Sequence, residues 1–194
     1  MSQARTTEIL EKSRDVESNA LSIIDTAHKK SHEGKRWYAM YSVASLGAMT
    51  TPDDMITIDF TTPKRTDEEP HFTFWAKGTA GWRVRLIEAP TGGAASPTGQ
   101  IAILSHNRYG GGSSLVSDGT NPGQVNYDST LATGGVTLWD EYLEGAGGPL
   151  SGGTGTETRN ELELMPETKY QISLYGTDTN PATIGFDYYD GKLE

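Results

Sequence analysis

The stretch Tyr170-Gln-Ile-Ser-Leu-Tyr-Gly-Thr-Asp-Thr-Asn-Pro-Ala-Thr-Ile-Gly-Phe-Asp-Tyr188 decides the fold. Tyr170, Ile172 and Leu174 fall on one face of an extended chain, and Ala182, Ile184, Phe186 and Tyr188 do the same after a turn. A period of two means that one face is buried and one solvated, which is the pattern of antiparallel sheets. Asp178-Thr-Asn-Pro181 between the two runs has turn chemistry. Just upstream, Leu164-Met-Pro166-Glu-Thr168-Lys-Tyr170 sets Leu, Pro, Thr and Tyr at every second position. That spacing predicts a sandwich corner, in which the tyrosine hydroxyl bonds back to the preceding loop.

The same period extends outward from this hairpin. Trp37, Ala39, Tyr41 and Val43 alternate with Tyr38, Met40 and Ser42, and Ile56, Ile58 and Phe60 with Thr57 and Asp59. Phe72, Phe74 and Ala76 share a face opposite Thr73 and Trp75, while Trp82, Val84 and Leu86 lie opposite Arg83 and Arg85. Weaker runs occur at 101–104, 115–116, 125–127 and 136–142, with turn residues at 51–54 and 118–123. About eight to ten strands without interleaved helices predict a mainly β chain, an antiparallel β-sandwich or jelly roll. The glycine-rich stretch 145–156 is expected to be a loop.

Composition agrees with many short strands and polar turns. The chain has 194 residues, 35% of them hydrophobic, and 23 glycines. It has no cysteine, so disulfides, thiolate metal sites and a cysteine nucleophile are excluded. No run reaches the ~20 apolar residues of a membrane span, and Met1–Glu8 lacks the apolar stretch of a signal peptide. Synthesis in a cytoplasm, outside a secretion pathway, is the expectation. Seven basic side chains against six acidic ones give residues 1–36 a charge of +1, so the remainder carries −11 of the net −10. A body this acidic repels nucleic-acid phosphate, and no nucleic-acid partner is expected.

The first segment has a different period. Ile9, Val16 and Ile23 recur at intervals of seven beside Leu10 and Ile24, with charged residues between them. The spacing predicts a short helix, capped by Thr6 or Thr7 with Glu8 and Glu11 in its first turn. Residues 1–34 thus read as a helical arm and linker, and 35–194 as the β-sandwich domain. The stripe fits either a helix packed on its own body or an arm that docks on a partner or self-associates.

Side chains able to carry chemistry are scattered. His28 and His32 have helical i, i+4 spacing, but Lys29 and Lys30 between them repel a cation. The glycines at 110–112 and 134–135 lack the Gly-Lys-Ser/Thr ending of a phosphate loop. No Gly-x-Ser-x-Gly elbow is present, and Glu161 and Glu163 alternate with Leu162 and Leu164 as the wet face of a strand. No catalytic residue, metal site or cofactor is predicted. Trp75, Trp139 and the Tyr188-Tyr189 pair, taken as exposed, would suit stacking on a sugar or a protein partner.

In order along the chain, several short motifs resemble a family of tailed-bacteriophage virion proteins encoded beside the major capsid protein. They are Ile23-Ile-Asp25-Thr-Ala-His28-Lys-Lys-Ser-His32-Glu33-Gly34, His71-Phe-Thr-Phe74, Leu86-Ile-Glu88-Ala-Pro-Thr91, Asn107-Arg108, Glu161 to Tyr170, and Ile184-Gly-Phe-Asp-Tyr-Tyr189. The resemblance covers roughly residues 20–190; the segment before Asp25 and the glycine-rich stretch depart from it. It implies a non-enzymatic capsid decoration, cement or head-fibre protein on the virion surface. The partners implied are the major capsid protein and copies of the chain itself, a trimer favoured; the stripe Ile9, Leu10, Val16, Ile23 and Ile24, read from its period of seven, supplies the expected contact residues. The alternative expectation is a receptor- or glycan-binding tip of a head or tail fibre.

Overall fold

The computed structural model describes residues 33–43, 56–64, 69–78, 82–91, 98–107, 113, 115–117, 121–128, 130–143, 150–152, 161–176 and 181–191. The predicted arm and the contact residues Ile9, Leu10, Val16, Ile23 and Ile24 lie outside them, as do His28, His32 and the turn at 178–180.

Among the described residues the chain forms two antiparallel sheets. The long strands are β1 (Arg36–Val43), β2 (Ile56–Thr61), β3 (Glu69–Gly78) and β4 (Trp82–Glu88). Five short ones follow: β5 (Gly99–Ala102), β6 (Leu104–Ser105), β7 (Val116–Ser117), β8 (Asn121–Pro122) and β9 (Gln124–Tyr127). The chain then forms β10 (Val136–Leu143), β11 (Leu150–Gly152), β12 (Leu162–Glu163), β13 (Lys169–Gly176) and β14 (Ala182–Gly191). Sheet I is ordered β11-β3-β14-β1-β6, with β12 sharing the outer edge of β3; sheet II runs β10-β4-β13-β2, then β7-β8 and β9-β5. The pairings are nested. β1 pairs β14, β2 pairs β13, β3 pairs β11 and β12, and β4 pairs β10, so the first half of the chain is matched by the second half in reverse.

The core lies between the sheets. β1, β3 and β14 contribute Trp37, Ala39, Phe72, Phe74, Ala76, Ile184, Phe186 and Tyr188; β2, β4 and β13 contribute Ile56, Ile58, Phe60, Trp82, Val84, Leu86, Tyr170, Ile172 and Leu174. The alternation read from the sequence therefore selects the inward set in β1, β2, β3, β4, β13 and β14. At the centre, the Phe60 ring lies 5.0 Å from Phe72, 5.1 Å from Phe186 and 5.5 Å from Tyr170, joining the two sheets.

The predicted corner is present. The Tyr170 hydroxyl accepts a hydrogen bond from the Met165 backbone N–H at 2.8 Å and donates to Glu88 Oε2 at 2.8 Å. Thr62 Oγ1 donates to the Met165 carbonyl and accepts from the Thr168 N–H, so the corner is tied to the end of β2 as well. Burial and the neighbouring Glu88 push the Tyr170 phenol well above its ordinary range, which keeps it a donor. Tyr170→Phe is expected to cost about 1–3 kcal/mol, because the Met165 N–H and the Glu88 carboxylate each lose a partner in this part-buried corner. An unchanged urea midpoint would show that the corner contributes nothing.

Three sequence expectations are corrected. The stretch 145–156 is not loop throughout, because Leu150–Gly152 pairs with Gly78, Lys77 and Ala76 of β3. Ladder bonds need only backbone, so glycine content does not forbid an edge strand. The run at 101–104 is two strands in different sheets, β5 and β6, separated at buried Ile103. Thr57 and Asp59, read as a solvated face, are fully buried together with Gln171 and Ser173 of the neighbouring strand. The reason is the segment Thr130–Ala132, which packs on the outer face of sheet II. There Gln171 Nε2 donates to Asp59 Oδ1 and to the Thr130 carbonyl, while its Oε1 accepts the Ala132 N–H at 2.7 Å.

Candidate interaction surfaces

The outer faces of both sheets carry side-chain clusters built from strand register, although part of sheet II's face is covered. On sheet I, Tyr38 of β1 lies opposite Asp187 of β14, which lies opposite Thr73 of β3; the next row is Met40, Gly185 and Trp75. Gly185 has a steric reason. A Cβ there would sit 2.5 Å from the Trp75 ring and 2.9 Å from the Ala39 carbonyl oxygen, so the indole lies flat across the strand only because the side chain is missing. Lys77 Nζ stands 5.3 Å from the same indole. Met40 is 55% exposed at the end of this row, and Leu104 of β6 is exposed beside Tyr38.

Polar clusters flank that apolar strip. Tyr189 stacks on His71 at 4.8 Å and donates to Glu161 Oε2, which lies 3.4 Å from His71 Nδ1. His106 is hydrogen-bonded to Asp187, packs on Tyr38 at 4.9 Å, and shares Asp187 with Arg36 at 3.8 Å. Both described histidines thus sit against carboxylates on one sheet face.

The aromatic surface expected from sequence is only partly there. Tyr188 is 1% and Tyr189 7% exposed, so the pair is buried rather than presented to a ligand. Tyr188 belongs to the core, stacked on Trp37 at 5.0 Å. Tyr189 is covered by its stack with His71. Trp139 is half-buried, edge-on to Phe74 at 5.9 Å, with its Nε1–H donating to Glu141. Trp75 is also half-buried but faces outward. Alternation could not separate these cases, because adjacent residues of a strand can both be covered when something lies over the outer face.

The outer face of sheet II carries a feature that the sequence reading missed. Register places Tyr142 of β10, Arg83 of β4 and Tyr175 of β13 in one row, and Asp140, Arg85 and Ser173 in another. Arg83 Nε donates to Asp140 Oδ1 at 2.6 Å and its second nitrogen bonds Oδ2, a two-pronged pair. Its guanidinium lies 4.7 Å from the Tyr142 ring and 5.7 Å from that of Tyr175. Arg85 donates to Thr137 Oγ1 at 3.3 Å and stands 4.0 Å from Asp140. The i, i+2 spacing of Arg83 with Arg85 and of Asp140 with Tyr142 was visible, but their meeting depends on long-range register and on a bulge between Thr137 and Trp139.

The Arg83 hydrogen bonds hold the Asp140 carboxyl below its ordinary range. A depressed carboxylate contributes stability above its unfolded pKa and loses it as pH falls through the folded value. Asp140→Asn is therefore expected to cost ~1 kcal/mol or less at neutral pH, since the pair is partly exposed, and progressively less as the pH falls below the ordinary carboxylate range. Urea titrations at several pH values test this; a penalty independent of pH would contradict it.

Among the described residues no group of three or more His, Asp or Glu side chains is placed to hold a metal ion. No helix of the described residues is long and apolar enough to cross a membrane. No family model, curated protein or solved structure matches the chain.

Proposed function

We propose that this protein is a non-enzymatic virion structural protein that decorates or stabilises the exterior of a bacteriophage capsid, with a jelly-roll body and residues 1–34 as its attachment arm. The observation that carries the reading is the nested strand pairing. Numbering the eight principal stretches in chain order, with β11 and β12 as the sixth, the pairs are first with last, second with seventh, third with sixth and fourth with fifth. A long antiparallel ribbon wrapped into two sheets has this order, and so does the double Greek key of jelly rolls, an architecture used by viral capsid and lectin domains, which supports the reading. Fold alone does not assign function; the ordered motifs from His71-Phe-Thr-Phe74 to Ile184-Gly-Phe-Asp-Tyr-Tyr189 add the virion setting.

The surface chemistry is compatible with this role. Its prominent charged groups are tied into pairs such as Arg83–Asp140 and Arg36–Asp187, an arrangement suited to contact rather than turnover. The acidic body keeps away from packaged DNA by repulsion. The partners are the major capsid protein and copies of this chain, a trimer favoured, with synthesis in the host cytoplasm and residence on the capsid surface. Repetition on a lattice converts modest single contacts into firm attachment. The alternative glycan-binding tip loses much of its motivation with Tyr188 and Tyr189 in buried positions.

Removing residues 1–24 is expected to abolish occupancy on purified heads while leaving the body folded. Undiminished occupancy by a well-folded fragment would remove the arm from the proposal.

A further inference from the structure

The Tyr142–Arg83–Tyr175 row lies at the open end of sheet II's outer face, beyond the cover over Gln171 and Asp59. A guanidinium fixed by Asp140 and stacked beside two rings has little rotamer freedom left to lose on association. Tyrosine and arginine held in this way are the side chains that anchor protein interfaces. In the adjacent row, Arg85 shares Asp140 with Arg83. Two arginines with one carboxylate leave this patch cationic on a chain of net charge −10. Leu138 and Tyr142, the last 62% exposed, add apolar surface along β10. The surface fits an acidic protein surface with an apolar centre.

The chain carries that complement. Glu161, Glu163, Met165 and Glu167 alternate along an exposed ridge, with Met165 58% exposed among the three carboxylates. The ridge starts on β12, on the edge of sheet I, and runs into the Met165–Glu167 corner, whereas the cationic patch borders β10, on the edge of sheet II. Each patch matches the other and repels a copy of itself, so a contact between them joins two molecules head to tail. Contacts of this kind close into rings when the rotation allows. We propose that the Tyr142–Arg83–Arg85 patch of one copy docks on the Glu161–Glu167 ridge of the next. This rests on the homo-oligomer part of the function proposed above, and not on attachment to a shell.

The absence of cysteine makes the test clean, since introduced thiols are the only ones present. Full-length Tyr142→Cys and Glu163→Cys variants, both at exposed positions, would be mixed, allowed to exchange subunits, and treated with a short bismaleimide; light scattering on the untreated samples gives their mass. The expected result is a cross-link in the mixture and none in either variant alone. An oligomer without the mixed cross-link overturns this interface while sparing self-association, and a monomer at micromolar concentration overturns both. Shell occupancy is measured separately, so failure of the interface and failure of the virion reading are distinguishable. A second pair, Leu138→Cys with Glu167→Cys, guards against one unfavourable geometry, and both pairs failing in an oligomer ends the proposal.

Discussion

Phe60→Ala is expected to lower the free energy of unfolding by about 3–5 kcal/mol, the range for deleting a fully buried phenylalanine. Phe60 is completely inaccessible and stands within ring-packing distance of Phe72 and Phe186 in the facing sheet and of Tyr170 in its own. The lost transfer energy is only part of the cost. Rings anchored in three different strands cannot all move into the space, so a cavity remains at the joint between the sheets. Denaturant unfolding followed by tryptophan fluorescence measures it. A loss below about 1 kcal/mol would mean that the sheets are not held together at this point.

The second large effect is expected at a polar position. Gln171→Leu keeps roughly the volume of the side chain but removes the acceptor for the Ala132 N–H and the donor to Asp59 and to the Thr130 carbonyl. Each buried group stripped of a partner costs about 1–3 kcal/mol, and a carboxylate is among them, so a total of about 3 kcal/mol is expected. The damage has a direction. Backbone amides near Ala132 should exchange with deuterium much faster, while those of Ile184 and Phe186, in the other sheet, should follow global stability alone. Uniform acceleration throughout the chain would contradict the view that this amide fastens the segment Thr130–Ala132 to sheet II.

The two substitutions mark what was legible in the sequence. Phe60 could be placed inside because its strand alternates with period two and a buried sheet face permits little else. Leu86, Ile172 and Phe186 were readable for the same reason, and Tyr170 because its corner is a local pattern whose hydrogen bond reaches back only five residues. Asp59 and Gln171 were not readable. They occupy the polar phase of the alternation, and their burial depends on a covering segment from elsewhere in the chain. A polar residue on an outer face and one beneath a polar lid have the same local sequence.

The contact surfaces divide in the same way. Tyr188 and Tyr189 are consecutive, so one was bound to face outward, yet His71 from the adjacent strand covers Tyr189. Arg83, Asp140, Tyr142 and Tyr175 span almost a hundred residues and meet only through the order β10-β4-β13. Short-range periodicity cannot supply that order. Glycine proved informative once its neighbour was known. Gly135, at φ 111°, would place a Cβ 2.5 Å from the Glu88 carbonyl oxygen, so only glycine lets the chain enter β10 so close to the end of β4.

Adding the full-length protein to purified capsid shells that lack it, followed by sedimentation and cryo-electron microscopy, tests the central claim most directly. The proposal predicts saturable co-sedimentation and density for the β-body repeated at equivalent lattice positions on the outer surface. Protein left in the supernatant at concentrations well above that of the shell sites, with bare shells in the images, would contradict it.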